Sequence, residues 1–586
     1  MSYTSLFGGF SFDRFGSDGP WVFFDDQANA FIFSPASHYM NAALSLGAHN
    51  EVTSRIAADA GQVSAGFVKT DVLVIEPGIN RAFETWGRFL TDLAGKRRPP
   101  NGADVTLNYL GYWTDHGTQY YYNFEPELEY AGTLLKIRDE FRAKQIRLGY
   151  VQLDSWFYPK GHEGRWQSAD GGTYLYEASR DLFPEGLAAF QRKLGMPLIT
   201  HNRWIDEASP YRKAYAISGN VPIDRRLWDE WMRSLRASGV HMYEQDWLSG
   251  PAVPKRDLTS GDTFMDAMAG AAKRAGIVLQ YSMPLPRHFL QGSRYSNLLT
   301  IRTSGDRFGK DHWEEFLFNG RLASALGEWP WSDAVRSTET SNLLLSVLSG
   351  SSAGVGDAIG SLDGENLRRA IRADGVIVKP DDAITPIDPA YLAAAHGRLS
   401  PLIAAAHTRH QGLVTTYLFA CRRSGERTAT VSPAALGYER PIFAFDYFGG
   451  QGVYLRSSQA LTFPVPDDGA YWITVPVGAS GVGFLGEDGK FVPNGKKRVA
   501  GLRDKGTLRA RIVFAPGEKR LRFKGFALAR PQLHARRGAV ENVAYDLHSH
   551  LFHFDLAAKQ GASVVTLWAA AKAEPRALPV LHRQKD

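Results

Sequence analysis

Gly239-Val240-His241-Met242-Tyr243-Glu244-Gln245-Asp246-Trp247 is the stretch whose reading decides the fold. A segment of helical period, 225–238, leads into it, the glycine ends that segment, strand formers follow, and the run stops on a carboxylate. Read outward from there, the chain repeats the plan of strand and then helix about eight times. Strands are expected over 105–113, 146–156, 196–204, 240–247, 277–283, 298–304, 328–331 and 353–357. Helical periods fall at 128–144, 184–194, 225–238, 263–275, 313–326, 338–348 and 365–373.

Alternating strands and helices with short connections imply a parallel sheet, and eight such units imply closure into an α/β (β/α)8 TIM barrel. A doubly wound open sheet would divide the polar strand ends between two edges, and no Gly-x-Gly-x-x-Gly opens the first helix. The barrel is assigned to residues 101–402. Residues 1–100 carry short β-type runs at 21–24, 30–33 and 71–76, one helical stretch at 79–94, and an exit linker at 95–102; they read as an N-terminal β domain. Residues 403–586 return to short strands, at 412–421, 441–447, 471–476, 510–514 and 563–568, and read as a C-terminal antiparallel β-sandwich.

At 586 residues the chain is too long for one core, and 44% hydrophobic with 22% charged residues is ordinary globular composition. The net charge of +6 comes from scattered basic residues, and pairs such as Arg97-Arg98 read as solvated loop charges, so no nucleic-acid partner is expected. The single cysteine, Cys421, excludes an intrachain disulfide and a cysteine-based metal site. The first ten residues lack the basic start and apolar run of a signal peptide, and no window approaches the roughly 18 apolar residues of a membrane span. The expectation is a cytoplasmic chain with no membrane partner, and a homo-oligomer is compatible with it.

Carboxylates at the carboxyl ends of parallel strands in one barrel share its mouth. Asp154, Asp246, Asp306 and Asp357 end the second, fourth, sixth and eighth expected strands. Taken singly a strand-end Asp is more often a helix cap or turn former. Four at one rim, with Trp113, Trp156, Trp204, Trp247 and Trp329 beside them, favour a sugar site, because flat aromatic faces bury sugar C–H surfaces. Glycoside cleavage needs two carboxyl groups flanking the bond, one to attack or activate water and one to protonate the departing oxygen. Asp246 and Asp306, two strands apart, are the expected catalytic pair. His116, His162, His201 and His241 lack the spacing of a metal set and read as core or hydroxyl-binding residues, so no metal or cofactor is expected. Neither a Gly-x-Ser-x-Gly elbow nor a Walker loop occurs.

The motifs resemble those of the retaining α-galactosidase clan, closest to its raffinose synthase and alkaline α-galactosidase branch. Leu153-Asp154-Ser155-Trp156 is similar to the clan's Asp-Asp-Gly-Trp, Tyr243-Glu244-Gln245-Asp246 to its Lys-x-Asp, and Arg302-Thr303-Ser304-Gly305-Asp306 to its Arg-x-Ser-x-Asp. Ser282-Met283, Gly354-Val355-Gly356-Asp357 and residues 374–380 follow in the clan's order. The resemblance covers roughly residues 100–390 and implies Asp246 as nucleophile, Asp306 as acid/base, and Asp154 and Arg302 as sugar-binding. Two departures stand out: Glu244 replaces the lysine that contacts sugar hydroxyls, and Ser155 replaces the second Asp. Glu244 is expected to face the sugar, compensated either by Arg203 on the neighbouring strand or by donors on the substrate, its hydroxyls or an amino group that galactose lacks at that position.

Together these features imply a retaining α-glycoside hydrolase acting on an oligosaccharide or other glycoside by double displacement. An α-glycosyl transferase of raffinose-synthase type and a non-catalytic carbohydrate-binding barrel are the alternatives.

Overall fold

The computed structural model describes residues 1–571 apart from 5–8, 58 and 61, and the chain divides into two compact units. The first comprises 1–346 and 351–364, and the second 347–350 and 365 onward.

The first unit is built around eight parallel strands: β1 (Leu110–Tyr112), β2 (Leu148–Leu153), β3 (Leu198–Asn202), β4 (Val240–Gln245), β5 (Val278–Tyr281), β6 (Leu298–Arg302), β7 (Trp329–Trp331) and β8 (Gly354–Val355). They are hydrogen-bonded in chain order from β1 to β7, and β8 pairs with β1. A parallel bridge between Val335 and Val355 joins the end of β7 to β8 and closes the barrel. Helices α1 (Glu129–Ala143), α2 (Leu187–Leu194), α3 (Arg225–Ala237), α4 (Ser260–Ala275), α5 (Pro286–Gly292), α6 (Trp313–Ala325) and α7 (Thr340–Leu348) follow the strands. The eight barrel strands come in the order expected from the sequence, and two local differences stand out. Residues 105–108 form a helical turn rather than the start of β1, because the Asp104 side chain accepts from Thr106 N–H and caps it. The short helix α5, opened by Pro286, was not expected at all.

Along a strand, side chains two apart share a face. Trp113, Tyr150, Ile199, Met242 and Trp331 point inward and form one apolar layer with Trp329 and Leu299. Trp113 stacks on Trp331 with ring centroids 4.7 Å apart. That stack requires Gly354, where a Cβ would lie 1.5 Å from the Trp113 ring. The layer seals the barrel and sets the floor on which polar side chains stand.

The same unit carries an antiparallel five-stranded sheet formed by Ser2–Tyr3, Phe10–Ser11, Trp21–Phe24, Asn29–Pro35 and Asp71–Pro77. The helix Ile79–Leu93 packs against α6 so closely that a Cβ on Gly87 would meet the Ala325 carbonyl at 2.0 Å. In the second unit an antiparallel six-stranded sheet contains Leu413–Cys421, in which Cys421 is buried. Two antiparallel four-stranded sheets share a core that includes Phe484, Ile512, Phe523, Phe554 and Leu567, as a sandwich requires. No helix among the described residues is long and apolar enough to cross a membrane.

Candidate active site

The period of two that builds the apolar floor also builds the site. One step further toward the carboxyl ends, the inward positions become polar: Gln152 on β2, His201 on β3, Glu244 on β4, Gln280 on β5 and Arg302 on β6. One step further again stand Asp154, Arg203, Asp246 and Ser282, while Asp115 and Asp333 stand one step beyond Trp113 and Trp331. Asp246 and Glu244 therefore share a face.

Asp246 ends β4, with its side chain 13% exposed, and its Oδ2 lies 3.0 Å from His201 Nε2. A carboxylate only accepts, so Nε2 carries the hydrogen; His201 Nδ1 is 3.1 Å from the Tyr158 hydroxyl, which holds the ring. Asp246 Oδ1 is buried with no hydrogen-bond partner among the described residues. Burial alone would push this carboxyl up, but the hydrogen bond and charge of His201, with the charge of Arg302, hold it well below the ordinary carboxylate range.

Asp306 follows β6 and is 41% exposed; the Arg302 guanidinium lies 2.7 Å from its Oδ1 and His116 Nδ1 3.8 Å from its Oδ2. Arg302 also donates to Asp333 Oδ2 at 2.9 Å. Although burial opposes it, Arg302 is held charged by Asp306, Asp333, Asp246 and Glu244 together. One guanidinium thus sits within the field of four carboxylates.

Glu244 is 2% exposed and accepts from Gln152 Nε2 at 3.1 Å, while the same amide donates to Asp154 at 3.0 Å. Thr114 N–H donates to Gln152 Oε1, which fixes the amide so that its NH2 faces the two acids. Burial, then the charges of Asp154 and Asp246, raise the Glu244 carboxyl well above its usual range. The cation opposing this is Arg302. Arg203, the expected partner, instead donates to the carbonyls of Ala169 and Gly171 and lies over the rings of Trp204 and Trp247. That expectation is corrected: the alternation of β3 aims Arg203 at the rim loop, beyond the level of Glu244.

The aromatic residues divide. Trp204 and Trp247 are half-buried at the rim, 5.0 Å apart edge to face. Trp113 and Trp329 lie within the apolar layer, and Trp156 is fully buried with Tyr130 stacked on it at 3.7 Å and Phe183 at 6.2 Å. These three have no free face for a sugar: packing inside the barrel takes Trp113 and Trp329, and Tyr130 and Phe183 cover Trp156. Asp357 is buried with both oxygens accepting from Ser337, so it ties the β8 loop and offers no acceptor to a ligand.

Several residues at the mouth were not anticipated from sequence. Asp115 and Asp333 stand two positions beyond the core residues Trp113 and Trp331, a parity that could have found them. Tyr121 comes from the β1 loop, its hydroxyl pushed up to about 12 by burial and by Asp154. Backbone strain collects at the same end: Trp247, Met283, Arg307 and Asp333, each just beyond a strand from β4 to β7, have φ of 62°, 48°, 53° and 62°. Such conformations cost on the order of 1–3 kcal/mol each and cluster where side chains must be aimed.

No family model matches this chain, and no curated protein sequence does. Among solved structures it is similar to a GH27 β-L-arabinopyranosidase from Geobacillus stearothermophilus, at 13% identity over 66% of this chain and 98% of that one, with a TM-score of 0.46. It is also similar to a glycoside hydrolase family 97 enzyme from Pseudoalteromonas sp. strain K8 solved with acarbose, at 12% identity over 78% and 74% with a TM-score of 0.47. A third, an α-galactosidase from Thermus thermophilus solved with stachyose, shows 15% identity over 60% and 79% with a TM-score of 0.42. These neighbours are glycoside hydrolases, and similarities this weak leave the activity of the present chain to the chemistry of its own site.

Proposed function

We propose that the protein is a retaining α-glycoside hydrolase. The observation that carries the reading is the contrast between Asp246 and Asp306. Asp246 is a carboxylate kept ionised by His201, with its second oxygen unengaged. Asp306 sits on the same guanidinium, Arg302, and reaches solvent, where it can exchange protons. The α configuration rests on the sequence resemblance.

In the first step Asp246 Oδ1 attacks the anomeric carbon, a C–O bond to the carboxylate forms, and the glycosidic C–O bond breaks as its oxygen takes a proton from Asp306. In the second step Asp306 removes a proton from water, whose oxygen displaces Asp246 and restores both residues. Asp154 and Arg302 hold the sugar, with Trp204, Trp247 and Tyr121 as flat or hydroxyl-bearing walls.

The test is Asp246→Ala against a panel of nitrophenyl α- and β-glycosides. Turnover is expected to fall by about three orders of magnitude or more, with the fold intact. Azide should restore part of it and give a glycosyl azide of inverted configuration. An Asp246→Ala protein with near-normal turnover removes the assignment.

A further inference from the structure

The β-sandwich of the second unit has two outward faces, and they treat charge differently. One of its sheets runs in the order Val499–Asp504, Leu508–Val513, Val564–Ala570 and Gln532–Arg536. Leu508, Ala510, Ile512, Val565 and Leu567 turn into the shared core. The strand period of two sends the residues between them outward. Register sets these in two rows. Arg503, Arg509, Trp568 and His534 lie side by side across all four strands. Arg511, Thr566 and Arg536 form the next row, two residues along. By strand spacing the face is about 14 Å across, with its rows about 7 Å apart. Arg503, Arg511, His534 and Arg536 are exposed, and Arg509 and Trp568 are half-buried.

No acid answers these arginines. The one carboxylate on the four strands is Asp504, whose oxygens accept from Ser480 and from the Gly506 N–H at the turn. Among the described residues none of Arg503, Arg509, Arg511 and Arg536 has an ion pair. On the opposite sheet the same residue type is neutralised. Arg520 lies 2.6 Å from Glu541, and Arg522 lies 3.0 Å from Asp555, its direct cross-strand neighbour. Like charges directly opposite each other destabilise a ladder, and Arg503 stands opposite Arg509 in that way. The paired sheet shows that this sandwich accommodates balanced charges, so the unbalanced face answers a need other than folding.

Within the first row three flat groups stand in line. The Arg509 guanidinium lies over the Trp568 indole at 5.5 Å, and the His534 ring is 5.6 Å from the indole at 36°. Arg509 Nε is buried there with no hydrogen-bond partner among the described residues. A flat aromatic strip takes the C–H face of a sugar ring, and guanidinium forks take carboxylates two oxygens at a time. We infer that this face binds a polysaccharide bearing carboxylates, a chain of uronate residues whose acids meet Arg503, Arg511 and Arg536. The preference for a sugar polymer rests on the glycosidase reading of the barrel, whereas the negative charge of the partner does not. A duplex nucleic acid is a poorer fit, since proteins that track phosphates meet about six to ten of them and this face offers four arginines and no lysine. A lipid surface would ask for an apolar group to insert, and Trp568 is half-buried between Arg509 and His534.

The test is affinity electrophoresis of the full chain through gels holding polygalacturonate or its methyl ester, with binding to duplex DNA and to phosphatidylglycerol vesicles measured alongside. Polygalacturonate should retard the protein, with a dissociation constant about tenfold or more below that of the ester, which keeps the rings and loses the charge. Combining Arg503→Gln, Arg511→Gln and Arg536→Gln should weaken binding by about tenfold or more, as the loss of several exposed charge contacts provides. Turnover of that variant on a nitrophenyl glycoside should match wild type, and its melting temperature should not fall. Arg503→Glu alone, set opposite Arg509, should raise the melting temperature. The inference is overturned if the ester binds as well as the acid, if the triple variant keeps its affinity while folded, or if DNA or vesicles are bound as tightly as polygalacturonate. Should polygalacturonate bind as stated to a protein whose Asp246→Ala variant keeps full turnover, only the reading of the barrel falls. Should binding fail in an Asp246-dependent glycosidase, only the surface does.

Discussion

Replacing His201 with Phe isolates what keeps Asp246 ionised. The ring retains the shape that stacks beside Tyr158, centroids 6.1 Å apart, and loses both nitrogens. Asp246 Oδ2 then loses its 3.0 Å hydrogen bond in a side chain only 13% exposed. A hydrogen bond to a charged group contributes about 1.5–3 kcal/mol, which corresponds to about 1–2 pKa units. The sign follows from the direction of the shift. Asp246 sits below the ordinary carboxylate range in the folded protein, so its attacking form persists to low pH. Without His201 the acid limb of kcat/KM should move upward by about 1–2 units. The stability contribution of a depressed carboxyl is present above its unfolded value, about pH 3.9, and is lost as pH falls through the folded value. The variant should therefore be less stable than wild type near neutrality, with the gap narrowing toward strong acid. The Tyr158 hydroxyl, losing its partner, adds a pH-independent loss of about 1 kcal/mol. Profiles of kcat/KM against pH on the best nitrophenyl glycoside decide it, with melting temperatures measured alongside. A uniform fall in rate with an unmoved acid limb would refute the role given to His201.

Two further outcomes follow from buried acids outside the catalytic pair. Glu328 is fully buried 3.6 Å from Lys96, and burial against that lysine leaves its carboxyl pushed up to about 8. The folded state then holds a proton the unfolded chain has released, so stability should fall by up to about 1.4 kcal/mol per pH unit between about pH 5 and pH 8; Glu328→Gln should flatten that slope in urea titrations, and an unchanged slope contradicts it. Asp357→Ala leaves the Ser337 N–H and hydroxyl without their acceptor and should lower stability by about 1–3 kcal/mol with KM unmoved; a rise in KM without loss of stability would return Asp357 to the substrate.

The barrel was legible because each strand in 240–245 fashion is a short run of strand formers between a helical period and a polar stop, and that pattern survives tertiary packing. Segment 105–108 misled because Val105-Thr106-Leu107 satisfies either period, and one capping carboxylate, Asp104, tips it to helix. The tryptophans misled for another reason. Trp113, Trp156 and Trp329 sit beside strand ends in the sequence, but whether a ring packs inside or faces a ligand depends on strand parity and on how far the apolar layer rises. Counting in twos from the core would have shown it: Trp331 in the layer puts Asp333 at the mouth, and Trp113 does the same for Asp115. Asp333 was further hidden by a strand of three residues, Trp329–Trp331, too short and too rich in aromatics to announce its end.

The apolar layer and the acids above it depend on each other. Stacked Trp113 and Trp331 close the barrel from below, so the groups standing on them meet little water and their interactions are strengthened in both senses. Attraction benefits Asp246, which gains His201 and Arg302 and stays ionised. Burial, and after it repulsion, raises the carboxyls of Glu244 and Asp115 well above the ordinary range. Glu244 shares a strand face with Asp246, and what separates them is His201, which serves Asp246 and not Glu244. The residue that departs from the α-galactosidase pattern is thereby compatible with catalysis at Asp246, since burial disfavours the charged form of Glu244 while His201 and Arg302 favour that of Asp246.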